Sequence, residues 1–319
     1  MSAYIIRRLL LLIPTLLIAS LIIFFIQRII PGNIIDLMAE QTGGFAVGEV
    51  DREALEHALG LDVPIHVQYG HWFGDIILHG SLGESLWRGT SVTDEIVERL
   101  PVTFELALLG IIISQLIAFP IGIYSGIRQD SWGDYLGRTF AIGLIAIPNF
   151  WLATMVIVFP SLWWGWSPPI KFIHFTDDPL GNLGMFIIPA AVLGASLGGT
   201  TMRMTRAMIL EVLRQDYIRT AWAKGLRERT IIMRHALKNA LIPVITILGL
   251  QLPLLVGGTV IIEQIFCIPG MGRLMLEAIN ARDYPMVSGV MIFVASFVLV
   301  ANLLVDLTYA YLDPRIHYK

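Results

Sequence analysis

Unbroken apolar runs separated by short polar segments set the pattern of this chain. Neither the alternation of a half-buried strand nor the one-sided stripe of a surface helix prevails. A bilayer core about 30 Å thick is crossed by a helix of about 20 mostly apolar residues. Five runs meet that requirement: Leu9 to Gln27, Val102 to Ile127, Thr139 to Trp164, Ala240 to Ile262 and Val287 to Val305. Each is uncharged except the second, which holds Glu105 near its start. A sixth run, Gly184 to Met202, is uncharged and rich in Gly, Ala, Ser and Thr. Gly194 and Gly198 stand there in the small-xxx-small spacing that lets helices pack closely in a membrane. The pattern predicts an all-α membrane protein with six transmembrane helices. Three regions follow: 1–30 with the first span, 31–100 outside the membrane, and 101–319 with five spans and a cytoplasmic loop at 203–240.

Composition removes the soluble alternatives. Of 319 residues 55% are hydrophobic and 15% charged, against about a quarter charged in a soluble domain. One cysteine, Cys267, leaves no partner for an internal disulfide. The first apolar run is longer than a signal-peptide core, and no small-residue cleavage site follows it, so it reads as a span behind the anchor Arg7-Arg8. The net charge of −3 hides a strong asymmetry. Placing both termini in the cytoplasm puts fifteen of the 22 basic residues inside, as the positive-inside rule requires. The outer segment Pro31 to Leu100 holds twelve acidic residues and a helix-like stretch from Asp51 to Gly60. It is either a docking surface or a solvated loop. Its aromatic segment, Tyr69 to Phe73, lies either at the membrane surface or in a small packed fold.

Catalytic and cofactor chemistry finds no foothold. All seven histidines fall outside the spans, so there is no intramembrane His pair and no HExxH spacing. No G-x-x-x-x-G-K-[ST] loop is present to cradle a phosphate, so energised transport needs another subunit. Ion coupling asks for ionisable groups deep in the bilayer. The candidates Glu105, Glu263 and Asp306 stand near span ends and read better as structural groups. Gln115, Asn149 and Gln251 are polar positions within spans. They either face a translocation path or bond between helices.

The segment from Arg203 to Lys238 carries nine basic and three acidic residues. Asp216 reads as an N-cap and Gly225 as the residue that ends a helix, with Lys224 favoured at the negative helix end. A helix over Tyr217 to Lys224 is expected, followed by a second helical run from about Arg229 to Ala240 that enters the fifth span. Ile218, Ala221 and Trp222 give the short helix an apolar side. That side should bury in another protein or lie on the inner leaflet, and the pattern alone does not decide between them.

The string Asp216-Tyr217-Ile218-Arg219-Thr220-Ala221-Trp222-Ala223-Lys224-Gly225-Leu226, with His235 to Pro243 after it, resembles the coupling loop of ABC importer permeases. The dipeptide and oligopeptide branch, "B"-type subunit, is most similar. Further matching stretches are Tyr4 to Leu10, Ile13-Pro14, Pro31-Gly32, Leu59 to Asp62, Gln68-Tyr69, Arg99 to Pro101, Gly270 to Arg273, Arg282 to Pro285 and Asp313 to Arg315. Arg219 and Thr220 replace the first two residues of the general E-A-A-x-x-x-G motif, and Lys238 stands in a usual proline place. Both departures are typical of the peptide branch. The resemblance implies a type I importer permease fold in a prokaryotic inner membrane. It implies a non-catalytic subunit that forms half of a pathway for peptides or a related small solute. Nickel chelates, glutathione or oligosaccharides are the alternative cargo, and an ion-coupled carrier or channel is the alternative class. The implied partners are a second permease, two cytoplasmic ATPases, and a periplasmic or lipid-anchored solute-binding protein. Nucleic acid is not among them. ATP and magnesium would sit on the ATPases, with no cofactor in this chain. The coupling residues implied are Asp216, Tyr217, Arg219, Thr220, Ala221, Trp222, Ala223, Lys224 and Gly225.

Overall fold

The computed structural model describes residues 2–29, 57, 62–169 and 171–312. The expected helix at Asp51 to Gly60, apart from His57, and the motifs at Pro31-Gly32 and Asp313 to Arg315 lie outside the described residues. Helices account for nearly all of the regular structure. They are α1 (Ser2–Ile29), α2 (Ile65–His79), α3 (Val92–Ile127), α4 (Trp132–Ala146), α5 (Asn149–Trp164), α6 (Pro179–Leu213), α7 (Asp216–Ala223), α8 (Leu237–Ile265), α9 (Met271–Asn280) and α10 (Tyr284–Leu312). Among the described residues five helices are long and apolar enough to cross a membrane, and the count is six if the bent pair α4–α5 is one broken span.

That bent pair corrects the expected continuous span from Thr139 to Trp164. The two helices meet at 96°. Ile147 is extended and Pro148 follows it in an extended conformation. Proline lacks the N–H that would continue the ladder and pushes the preceding residue out of helical geometry.

The chain forms two compact units, 1–100 with 274–300 and 101–273 with 301–319. In the first, the aromatic face of α2 packs on α1. Phe24 is buried, with Tyr69 at 5.3 Å and Trp72 at 5.6 Å between ring centroids. The Tyr69 hydroxyl meets Ser20 Oγ at 2.9 Å, and Arg28 donates twice to Gln68 Oε1. The segment Tyr69 to Phe73 is thus part of a packed fold. Elsewhere in this unit the buried Asp283 carboxylate accepts from Ser85 Oγ at 2.5 Å and from the backbone N–H of Leu86 and Met286. One side chain so closes the 80–91 loop and caps α10.

The second unit is organised around α6. Leu106, Phe186, Ala190, Leu193 and Ile262 form its core. Close approach depends on glycine: a Cβ on Gly194 would collide with the carbonyl oxygen of Gly110, and one on Gly122 would come 2.8 Å from the Met202 carbonyl. Gly198 lies against Ser114. The expected small-residue stripe is therefore the contact between α6 and α3, where backbone dispersion contacts replace side-chain packing. Glu263 is fully buried and accepts from Thr103 Oγ1 at 2.7 Å and from Arg273 N–H at 3.0 Å. Thr103 Oγ1 in turn accepts from Met271 N–H. The carboxylate is thus occupied in fixing the start of α9, a structural role.

Candidate functional site

The basic loop folds into a short helix on a platform made by its own chain. α7 runs from Asp216 to Ala223, one residue earlier at each end than the sequence predicts. Gln215 occupies the cap and makes no side-chain cap bond. Asp216 instead opens the first turn, where its charge suits the helix dipole, and its carboxylate meets Arg219 at 3.2 Å in solvent. The C-terminal end forms as expected. Lys224 is the cap residue, Gly225 takes φ +75°, and Leu226 and Gly225 donate back to the carbonyls of Ala221 and Trp222. This is the 6→1 and 5→2 pair of a Schellman stop.

The expected apolar face divides. Ile218 and Ala221 are buried with Ile231 and Ala236, and Val212 and Leu213 pack against that cluster. Trp222 stays 48% exposed and Tyr217 44%. Ile218 and Ala221 therefore need no second protein to cover them. What projects is the rest of the helix: Asp216, Tyr217, Arg219, Thr220, Trp222, Ala223 and Lys224. Two bonds stiffen it. Asn239 Nδ2 donates to the Tyr217 hydroxyl at 3.0 Å, and Thr220 Oγ1 donates to the Asp216 carbonyl.

The platform has a form that the sequence pattern does not reveal. The run expected as one helix from Arg229 to Ala240 is a single turn at Glu228–Thr230, a π-helical stretch Ile231–Ala236, and then α8. Residues five apart lie about 140° apart around an α-helix. Bonding from i to i+5 widens the turn and brings such residues onto one side. Ile231 and Ala236 are five apart and both pack beneath α7. The wide turn is what lets one strip of chain both support α7 and run on into a membrane helix.

A second device anchors the base of α6. Asp134 on α4 is fully buried and accepts from Arg206 Nε at 2.7 Å and Nη2 at 2.8 Å. Two charge-assisted bonds in this fork geometry are both strong and directional. The same carboxylate accepts from Asp130 N–H, and Ser131 Oγ caps α4 by accepting from Asp134 N–H. Next to it, Arg128 reaches Glu228 at 3.4 Å. The α3–α4 turn is thereby joined to the turn that follows Gly225. Arg138 stands 3.6 Å from the Asp134 carboxylate. Sequence reasoning counted Arg128, Arg138 and Arg206 among the cytoplasmic basic residues and named neither Asp134 nor the pair it forms. The sequence Ser131-x-x-Asp134 before an apolar run is a capping signature that marked this start. Its partner 72 residues away was not marked.

The three polar span residues are held loosely and share no bond with one another. Gln115 Nε2 donates only to the adjacent Ser114 Oγ at 3.2 Å. Asn149 Nδ2 reaches Ser196 Oγ at 3.4 Å. Among the described residues, the carbonyl oxygens of Gln115, Asn149 and Gln251 are buried without a partner. Glu105 Oε2 accepts a long 3.5 Å bond from Asn182. The side chain of Asp306 lies outside the described residues.

Known sequences resemble this chain along its whole length. Residues 118–318 match the family model described as the binding-protein-dependent transport system inner membrane component, and residues 1–107 match the N-terminal model of the same systems. The chain is 42% identical to the oligopeptide transport system permease protein of Bacillus subtilis, with 100% of both chains covered. It is 40% identical to the dipeptide transport system permease protein of Alkalihalophilus pseudofirmus and 38% identical to the glutathione transport system permease protein of Pectobacterium atrosepticum, again over 100% of both. Among solved structures, an amino acid ABC transporter crystallised with histidines superposes with a TM-score of 0.56 at 13% identity. That match covers 69% of this chain and 95% of the other, and it speaks for the fold alone.

Proposed function

The chain belongs to the inner-membrane components of binding-protein-dependent transport systems, a multi-pass permease family, and from that premise we propose how it works. It forms half of the pathway of an ATP-driven importer whose cargo is a di- or oligopeptide or a close chemical relative such as glutathione. Relatives named for these cargoes align over the full chain. The chain itself is non-catalytic. A second permease completes the pathway, two ATPases carry ATP and magnesium, and a solute-binding protein delivers the cargo from outside.

One observation carries this reading. α7 keeps Ile218 and Ala221 for its own platform and presents Tyr217, Arg219, Thr220, Trp222, Ala223 and Lys224 outward. A helix fixed from behind and polar-aromatic in front transmits force from a docked partner. A helix that sank its apolar face into a lipid leaflet would need Ile218 and Ala221 free. Displacement of α7 passes through Ile231 and Ala236 into α8, and through Val212 and Leu213 into α6. Coupling then requires only that the ATPase pair contact α7 differently in its two states.

The test uses the complex in reconstituted vesicles. Replacing Trp222 with Ala and Arg219 with Glu should leave the chain inserted and the complex assembled, yet cut ATP-driven uptake about tenfold or more. Losing one buried interface anchor commonly costs about 2 kcal/mol or more. Unchanged uptake in both variants would overturn the assignment of α7 as the coupling helix.

A further inference from the structure

Glu105 and Glu263 each bring one carboxylate into an apolar helix, and the fold uses the two differently. Glu263 is engaged by Thr103 and the backbone of Arg273. Glu105 accepts one long bond, 3.5 Å from Asn182 Nδ2 to its Oε2. Its Oε1 is buried with no partner among the described residues. Asn182, in the first turn of α6, is fully buried. Its Nδ2 donates to the Ile173 carbonyl at 2.9 Å, which fixes the orientation of the amide. That leaves Asn182 Oδ1 as a second buried oxygen with no partner among the described residues. A carboxylate and the amide that faces it thus hold two acceptors and offer them no donor. Buried acceptors left unmade are costly, and a native structure that keeps them has a use for them.

We infer that Glu105 and Asn182 form a receiving site for the α-ammonium group of a peptide cargo. The charge balance asks for a cation. Among the described residues the ionisable group whose charge reaches Glu105 is His174, which is exposed. The start of α6 adds the positive end of a helix dipole, about half a charge, so the site stays net negative. The bonding asks for N–H donors. An ammonium carries three of them with its charge, and matches a carboxylate oxygen beside an amide oxygen. A calcium ion takes about six to eight oxygens, and two are free here. Carboxylates inside membrane proteins mark substrate paths for this reason. Every peptide with a free N-terminus bears the group, whatever its side chains, so the site reads the class and not the sequence. Its position fits that role. Asn182 and Leu213, the last residue of α6, lie about 47 Å apart along the helix at 1.5 Å per residue, and α7 begins three residues later. The site is thus at the end of α6 away from the coupling helix, where cargo from outside arrives first.

This inference rests on the peptide-importer reading, so two readouts keep them apart. Infrared difference spectra of the reconstituted complex isolate the Glu105 carboxylate band as the one missing in Glu105→Gln. Trialanine should shift that band. N-acetyltrialanine, which lacks the ammonium, and sodium chloride should both leave it in place. Glu105→Asp, one methylene short, should need about tenfold more trialanine for the same response. Glu105→Gln should leave the thermal midpoint of the complex unchanged, which a brace between helices would not do. The site is overturned by an unshifted band, by equal shifts with the two peptides, or by a shift with sodium alone. It is equally overturned by a band of the neutral acid in the empty complex, which would mean a bound proton, or by a lowered midpoint in Glu105→Gln. ATP-driven uptake of trialanine is measured on the same vesicles with the solute-binding protein present. Absence of uptake in the natural complex would bring down the importer reading and this site with it. Normal uptake with an unresponsive band would bring down the site alone.

Discussion

Gly225 adopts φ +75° with no atom within 4 Å of where a Cβ would stand. A side chain there meets backbone strain and no clash, and the strain is about 1 kcal/mol or more for most residues but small for Asn. Gly225→Val should therefore lower the population of the closed Schellman stop roughly fivefold and depress uptake. Gly225→Asn should transport nearly as the natural chain does, and equal loss in both would show that the cap conformation is not what matters. This residue was legible from sequence because cap grammar is local: a helix end, a glycine and an apolar follower lie within a few positions. The Asp134–Arg206 pair was not, since its two halves lie 72 residues apart and only folding brings them within 2.7 Å. Removing one partner of a buried ion pair costs about 3–5 kcal/mol, whereas a longer, half-exposed contact is worth about 0–1 kcal/mol. Asp134→Asn should accordingly lower the thermal midpoint of the purified chain by several degrees, and Arg138→Gln should scarcely move it. Comparable shifts in the two would deny Asp134 its anchoring role.

Among the elements, α7 shows how a correct helix can hide a wrong face. Periodicity put Ile218, Ala221 and Trp222 on one side, and that is geometrically true. Pattern alone could not say that the chain would fold Ile231 and Ala236 back under the first two and leave the indole out. That outcome depends on the π turn at Ile231–Ala236, which carries no distinctive residue types. Ile218→Ala should cost about 2–5 kcal/mol through the cavity left in a fully buried site. It should loosen the loop to proteases, while Trp222→Ala should leave protection unchanged and reduce uptake alone. Matching protection in the two variants would mean that Ile218 does not hold the platform. The break between α4 and α5 makes a related point. Pro148 ends a helix, yet Pro101 and Pro120 lie within α3 and Pro189 within α6 without ending them. A proline marks a place where a break is cheap, and the surrounding packing decides whether it occurs.

Across the whole molecule, hydropathy identified the spans because bilayer thickness imposes one length on every crossing helix: five of the six apolar runs lie in single helices and the run Thr139 to Trp164 falls on the bent pair α4–α5. What hydropathy cannot grade is how each polar residue inside a span is used. Glu263, which stands near a span end and reads from sequence as a structural group, gives its carboxylate to Thr103 and the start of α9. Gln115, Asn149 and Gln251 are different, since each keeps a buried carbonyl oxygen with no partner among the described residues. A polar group that braces helices contributes a hydrogen bond worth about 1 kcal/mol and leaves a deficit when removed. One retained for cargo contributes nothing to the empty subunit, and replacing it with an isosteric apolar side chain is neutral or favourable for folding. Gln115→Leu, Asn149→Leu and Gln251→Leu should therefore each leave the thermal midpoint of the chain unchanged or slightly raised. Uptake of peptide by the reconstituted complex should fall, with KM rising more than the maximal rate drops. A variant that lowered the midpoint and left KM alone would identify that residue as a brace between helices and remove it from the pathway.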